Sequence, residues 1–227
     1  MAELVLGVDE AGRGPVVGPM IVAGVVVPRS RLSLLQKAGV RDSKKLTPGM
    51  RSRLLELIKA IANLIVVVEV PPSVIDEYNL NLVERDTIAL VVWRAVTLVG
   101  GVNHVYVDVV GSPEELVKTI RRTGYSGVIV AEPKADEHYT VVSAASIVAK
   151  VYRDRVIEEL RRMYGVEGSG YPTDPKTIAW IRRVYMERPE NPPPFIRRSW
   201  ATLKTIAPKW YKPKRSDTRS RSLLEFL

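Results

Sequence analysis

Cysteine is absent from the 227 residues. That excludes disulfides, cysteine-ligated zinc and a cysteine nucleophile. Histidine is limited to His104 and His138. His138 lies close enough to Asp136 to shuttle a proton, but an isolated histidine has many other uses and neither is assigned a catalytic role. No apolar run reaches ~18 residues, which excludes a transmembrane helix. The opening stretch from Met1 to Asp9 has no basic segment, so no secretory signal is expected. With no cysteine, the expected compartment is the cytoplasm. What is present is an ordinary soluble composition, 46% hydrophobic and 26% charged. At ~150 residues per domain the length fits one large domain, alone or with a small appendage.

The net charge is +9, and its position is informative. Twelve Lys and Arg between Arg182 and Arg221 face only Glu187, Glu190 and Asp217, and the rest of the chain is neutral. A neutral body with a basic C-terminal quarter suits a polyanion binder, though a solvated, solubilising face has the same composition.

Hydrophobic periodicity predicts strands at Leu4–Val8, Met20–Val27, Leu64–Val70, Val105–Val110 and Gly127–Ala131. It predicts helices at Arg31–Ala38, from a Thr47 cap with Pro48 to about Asn63, and over Ser73–Val99 with a break near Asn79–Asn81. Further helices are expected at Pro113–Thr123, Val141–Tyr164, and from an Asp174 cap to about Met186. An amphipathic segment follows at Phe195–Ile206, and Lys212–Ser220 has the composition of a disordered tail. Early strands and later helices indicate an α/β fold with a mixed sheet.

Asp9 and Glu10 sit where the first strand meets a Gly-rich turn. Asp108 closes another apolar run, and Asp136 follows a third. An open α/β sheet gathers such strand ends into one crevice. Clustered carboxylates repel one another, and a hard divalent cation relieves that repulsion. Two such ions about 4 Å apart activate a water and stabilise a leaving oxygen in phosphoryl transfer. Acids at strand ends also serve merely as turn residues and helix caps. Gly12-Arg13-Gly14 is not a dinucleotide fingerprint, because Pro15 interrupts it and a strand follows. It remains a loop whose backbone can approach a ligand closely. Ser143 and Ser146 either bind a phosphate or permit close helix packing. The four tryptophans are read as packing residues.

Asp9-Glu10-Ala11-Gly12-Arg13-Gly14-Pro15 resembles the opening signature of type 2 ribonuclease H, the ribonuclease HII family. Asp42-Ser43-Lys44-Lys45-Leu46, Tyr106-Val107-Asp108, Lys134–Tyr139 with Val142–Lys150, and Gly168-Ser169-Gly170-Tyr171-Pro172 resemble its later blocks, in family order and in an archaeal-like form. The resemblance implies an RNase H-like fold, a central mixed sheet flanked by helices, with a helical C-terminal extension. Residues 1–165 would be catalytic, 166–211 would bind substrate, and 212–227 would form a flexible tail. It implies a metal-dependent endonuclease acting on RNA/DNA hybrids and on single ribonucleotides in duplex DNA. Asp9, Glu10, Asp108 and Asp136 would hold two Mg2+ or Mn2+ ions. Gly12, Arg13 and Gly14 would read the ribose 2′-hydroxyl through backbone groups. Tyr171 would pack on the sugar at the DNA side of the junction, and Lys44 and Lys150 would contact phosphate. The alternative is a non-catalytic nucleic-acid-binding module, for which the basic quarter would suffice. An RNase H-like recombinase shares the acids but not the Gly-Arg-Gly and Gly-Tyr-Pro blocks.

The last residues turn apolar again. Leu223, Phe226 and Leu227 fall on one face of a helical turn. Their spacing resembles the clamp-binding motif of replication proteins, departing from it at Ser220 and Leu227. The resemblance makes a sliding clamp an expected partner of an otherwise monomeric enzyme. A terminus tucked back onto the body is the plainer alternative.

Overall fold

The computed structural model describes residues 3–40 and 46–214. A five-stranded sheet runs in the order β3-β2-β1-β4-β5. Its strands are β1 (Leu4–Ala11), β2 (Met20–Pro28), β3 (Leu64–Val70), β4 (His104–Asp108) and β5 (Val128–Glu132). β2 pairs antiparallel with β1 and β3, whereas β4 runs parallel to β1 and β5. The expected mixed sheet is therefore present.

Strand alternation sorts the core into two layers. Leu6, Val8, Met20, Val22 and Val26 face one side. There they pack on Ile75 of α3 (Pro72–Glu77), on Ile88, Val91, Val92 and Ala95 of α4 (Leu80–Val99), and on α5 (Pro113–Arg122). Val5, Ile21, Ala23, Val25 and Val27 face the other side. They meet Leu35 of α1 (Leu32–Lys37), Leu55 and Ile58 of α2 (Pro48–Ile61), and the first half of α7 (Thr140–Tyr164). Every residue of β2 is buried, because it is covered on both faces and paired on both edges.

Local chemistry sets the helix ends as the sequence predicts. Thr47 accepts from Met50 N at 3.3 Å with Pro48 in the first turn, and Asn79 caps α4 after the expected break. Asp174 accepts from Lys176 N at 3.0 Å and starts α8 (Pro175–Glu187). Its carboxyl also accepts from Ser169 N and Oγ, and these bonds hold its pKa down to about 2.

Three expectations change. β1 continues through Asp9 and Glu10, because β2 pairs with it as far as Ala11 opposite Ile21. Phe195–Ile206 is not one amphipathic element. Ile196 bridges to Val17, turns follow, and only α9 (Leu203–Ile206) is helical. The backbone is captured there by Val16 O, which accepts from Arg197 N at 2.9 Å. Of the stretch read as disordered, residues 212–214 are tied to the body. Lys212 N donates to Arg198 O and Lys214 Nζ to Tyr78 O. The remainder of that stretch, and Leu223, Phe226 and Leu227, lie outside the described residues.

The C-terminal region builds a third cluster. Trp180, Ile181 and Val184 of α8 join Phe195, Ile196, Leu203, Trp210 and, from the loop after β1, Val16 and Val17. Asp76 ties the same region to α3, accepting from Arg198 N, Ser199 N and Ser199 Oγ at 2.7–2.8 Å. Among the described residues no helix is long and apolar enough to cross a membrane.

Candidate active site

The parallel register of β1 and β4 ends on Val8 opposite Val107, so Asp9 and Asp108 are the next pair along the two strands. Asp136 enters from α6 (Ala135–His138), a single turn between β5 and α7. One carboxylate oxygen from each of Asp9, Asp108 and Asp136 lies within 4.8 Å of the other two. Glu10 is the next residue of β1, and its carboxylate is near enough to Asp9 and Asp108 for their charges to act on one another. It lines the same open cleft of about 750 Å³ but stands outside this trio.

Burial and mutual repulsion set the electrostatics. The Asp9 carboxyl is raised well above its ordinary range by desolvation and then by Glu10. Desolvation and Asp108 raise Glu10, and desolvation and Asp136 raise Asp108. Glu10 Oε2 is buried with no hydrogen-bond partner among the described residues. A trio of oxygens that repel one another, beside an unsatisfied carboxylate oxygen, suits hard divalent cations such as Mg2+. The donor set therefore fits the metal that the sequence implied.

Neighbouring groups fix each carboxylate. Lys134 N donates to Asp108 Oδ1 at 3.0 Å. Lys134 takes φ +61°, the only left-handed non-glycine conformation among the described residues, at the turn into α6. Ser143 Oγ donates to the Asp136 carbonyl, and Ser146 hydrogen-bonds Asp9. Lys150 Nζ donates to Ser146 Oγ at 2.9 Å. Both serines thus serve the acid cluster. His138 pairs with Glu132 at 2.9 Å.

Gly12, Arg13 and Gly14 form one wall of the cleft and Tyr171 adjoins it. A Cβ added at Gly14 would lie 3.4 Å from the Tyr171 ring, so these two motifs, distant in sequence, are in contact range. Tyr171 is 39% exposed. Its ring lies under the Arg153 guanidinium, 5.2 Å from the centroid. Arg13 lines the cleft, and its charge acts on Glu10 there. It pairs with the buried Glu84 and donates to Asn81 on α4. Lys150 lines the cleft, whereas Lys44 lies outside the described residues.

Sequence reasoning missed Arg153, Arg197, Trp200 and Glu84. Arg153 had a signal. With Ser146 and Lys150 it falls at i, i+4 and i+7 of α7, a polar stripe beside an apolar face. Of the tryptophans, Trp180 and Trp210 are core residues as expected, Trp93 is 42% exposed against expectation, and Trp200, packed on two clusters, also donates from Nε1 to Gly14 O at 2.8 Å.

The family model described as Ribonuclease HII matches residues 6–203. A ribonuclease HII of Hyperthermus butylicus is 51% identical over 98% of this chain and 94% of its own length. One from Saccharolobus solfataricus is 44% identical over 92% of this chain and 96% of its own. The crystal structure of ribonuclease H2 from Pyrococcus horikoshii superposes with a TM-score of 0.83 at 38% identity, covering 91% of this chain and 98% of that one. Ribonuclease HII in a PCNA complex from Archaeoglobus fulgidus superposes with a TM-score of 0.77 at 36% identity, covering 95% and 100%.

Proposed function

The chain belongs to the ribonuclease HII family and is a ribonuclease H endonuclease, and from that premise we propose that it incises 5′ of single ribonucleotides in duplex DNA as well as cutting the RNA strand of RNA/DNA hybrids. The products are a 3′-hydroxyl and a 5′-phosphate. Family membership decides for the enzyme over the non-catalytic binding module. The observation that carries the finer proposal is the convergence of Asp9, Asp108 and Asp136 beside the Gly12–Gly14 loop and Tyr171.

Asp9, Asp108 and Asp136, with Glu10, would hold two Mg2+ or Mn2+ ions. When bound, these supply activation of a water and stabilisation of the leaving oxygen. Ser146 and the Lys134 N–H orient Asp9 and Asp108 so that little reorganisation accompanies the reaction. The backbone of Gly12, Arg13 and Gly14 reads the 2′-hydroxyl, the group that separates RNA from DNA. Tyr171 packs on the neighbouring deoxyribose, and Lys150 and Lys44 contact phosphate. Residues 1–165 form the catalytic part, and 166–211 present cations to the duplex. The enzyme acts as a cytoplasmic monomer.

The test is incubation with a duplex carrying one ribonucleotide and with a continuous hybrid, in Mg2+ and in chelator. Cleavage of both substrates in Mg2+ only is expected. Tyr171→Ala removes an aromatic contact of about 1 kcal/mol, so about fivefold in rate, mainly from the single-ribonucleotide substrate. Equal losses on both substrates would assign Tyr171 to general binding.

The Archaeoglobus fulgidus relative is described in complex with PCNA. We extend this to the present chain: Leu223, Phe226 and Leu227 would plug a sliding clamp's apolar groove and raise the enzyme's local concentration on replicated DNA. Titration of a Ser216–Leu227 peptide into the cognate clamp should release heat, and a Phe226→Ala peptide should not. Identical traces would remove this role.

A further inference from the structure

Arg197 has no exposed surface, yet no carboxylate among the described residues pairs with it. Burial and the nearby Arg153 lower its pKa to about 9, so it still carries its charge at neutral pH. Its partners are backbone carbonyls of the Gly-rich loop. Nε donates to Gly18 O at 2.8 Å, Nη1 to Arg13 O at 2.8 Å and Nη2 to Gly12 O at 2.6 Å. The guanidinium lies 5.0 Å from the Trp200 ring centroid, and Trp200 Nε1 donates to Gly14 O. Residues from the C-terminal region thus hold the carbonyls of all three residues of the Gly-Arg-Gly loop from behind.

In a trans peptide the C=O and the following N–H point in opposite directions. Holding Gly12 O and Arg13 O therefore aims the N–H groups of Arg13 and Gly14 away from Arg197. Among the described residues neither N–H has an acceptor. Both residues line the acid cleft. A carbonyl bonded to a cation also polarises its peptide and makes the attached N–H a stronger donor. Arg13 adds a second anchor through Glu84 on α4, so the loop is fixed from two sides.

We infer that Arg197, seconded by Trp200, is the positioning residue that sets ribose discrimination, by aiming and polarising the Arg13 and Gly14 N–H groups toward the 2′-hydroxyl. The inference rests on the reading of the loop given under Proposed function. It assigns the C-terminal region a part in specificity besides binding the duplex.

The experiment measures affinity in a full-length Asp108→Asn background, which removes cleavage. Two duplexes of one sequence are compared, one all-DNA and one with a single ribonucleotide. The parent should prefer the ribonucleotide duplex. Arg197→Lys keeps the charge but loses the planar fork, and should reduce the preference about tenfold. Trp200→Phe keeps a ring over Arg197 but loses one hydrogen bond, and should reduce it about threefold. All-DNA affinity and the melting profile of Trp200→Phe should hold. A merely structural role would weaken both duplexes alike. An unchanged preference in Trp200→Phe, or in a folded Arg197→Lys protein, overturns the inference. A parent with no preference at all overturns the loop reading first, before Arg197 is touched, and the inference with it.

Discussion

Asp108→Asn is expected to cut cleavage about a thousandfold or more, the scale on which single electrostatic contributors to such sites act, while the protein stays folded. The amide has the shape of the carboxylate but carries no charge. It still accepts from Lys134 N through its oxygen, so the β4 end and α6 keep their geometry. Stability should move in the opposite direction from activity. Asp108 is raised by desolvation and by Asp136, so the folded protein binds its proton more readily than the unfolded chain does. Stability of the metal-free protein therefore falls as pH rises from the ordinary carboxylate range through the raised pKa values. Asp9 and Glu10 add to this fall with the same sign. Asp108→Asn removes one contributor. Its metal-free Tm should match wild type in acid and exceed it near neutral pH. Mg2+ should raise the wild-type Tm at neutral pH and raise that of the variant less, because a ligand that binds only the native state stabilises it. Thermal melts across pH, with and without Mg2+, check both statements. A folded Asp108→Asn enzyme cutting near the wild-type rate, or wild type cutting in chelator, would sink the metal-dependent reading.

Local chemistry made most of this legible in advance. The β-branched run Met20–Val27 marked a strand, Thr47-Pro48 and Asp174 marked helix starts, and Asn79–Asn81 marked a break, all of which the structure keeps. The four acids were found because a strand end is a recognisable local pattern. Their geometry was not. Asp9, Asp108 and Asp136 converge on one another while Glu10 lines the same cleft outside that trio, and that split depends on where the strand ends. Arg197 was invisible because its function depends on contacts 179 to 185 residues away. In sequence it reads as one more cation of the basic quarter. Phe195–Ile206 was misread for a related reason. Its apolar spacing suits a helix, but Val16 and Val17 claim its backbone first.

Gly7→Ala should be the most damaging single methyl group in the protein. Glycine in a central strand is unfavourable by about 0.5–1 kcal/mol relative to alanine, so its presence in Leu4–Ala11 needs a reason. The reason is α7. A Cβ at Gly7 would overlap the Val141 carbonyl and the Val142 nitrogen, atoms of the first turn of that helix. Backbone cannot rotate aside as a side chain can. Either α7 lifts off β1 or the strand bends, and overpacking of this kind costs about 1–3 kcal/mol, with the upper end expected against backbone. Activity should fall further than stability. Ser143 and Ser146 sit within two turns of the contact and hold Asp136 and Asp9. A displacement of about 1 Å there is enough for about a hundredfold loss in rate. Gly24→Ala is the control. Its Cβ would meet Val91 Cγ1 at 2.6 Å on the α4 face, the side of the sheet away from α7 and the acids it holds. It should lose stability moderately and retain its turnover once folded. Denaturant unfolding and turnover at a temperature where both variants are native separate the cases. If Gly7→Ala matches Gly24→Ala in both measurements, then the close seat of α7 on β1 is not what holds the acids in place.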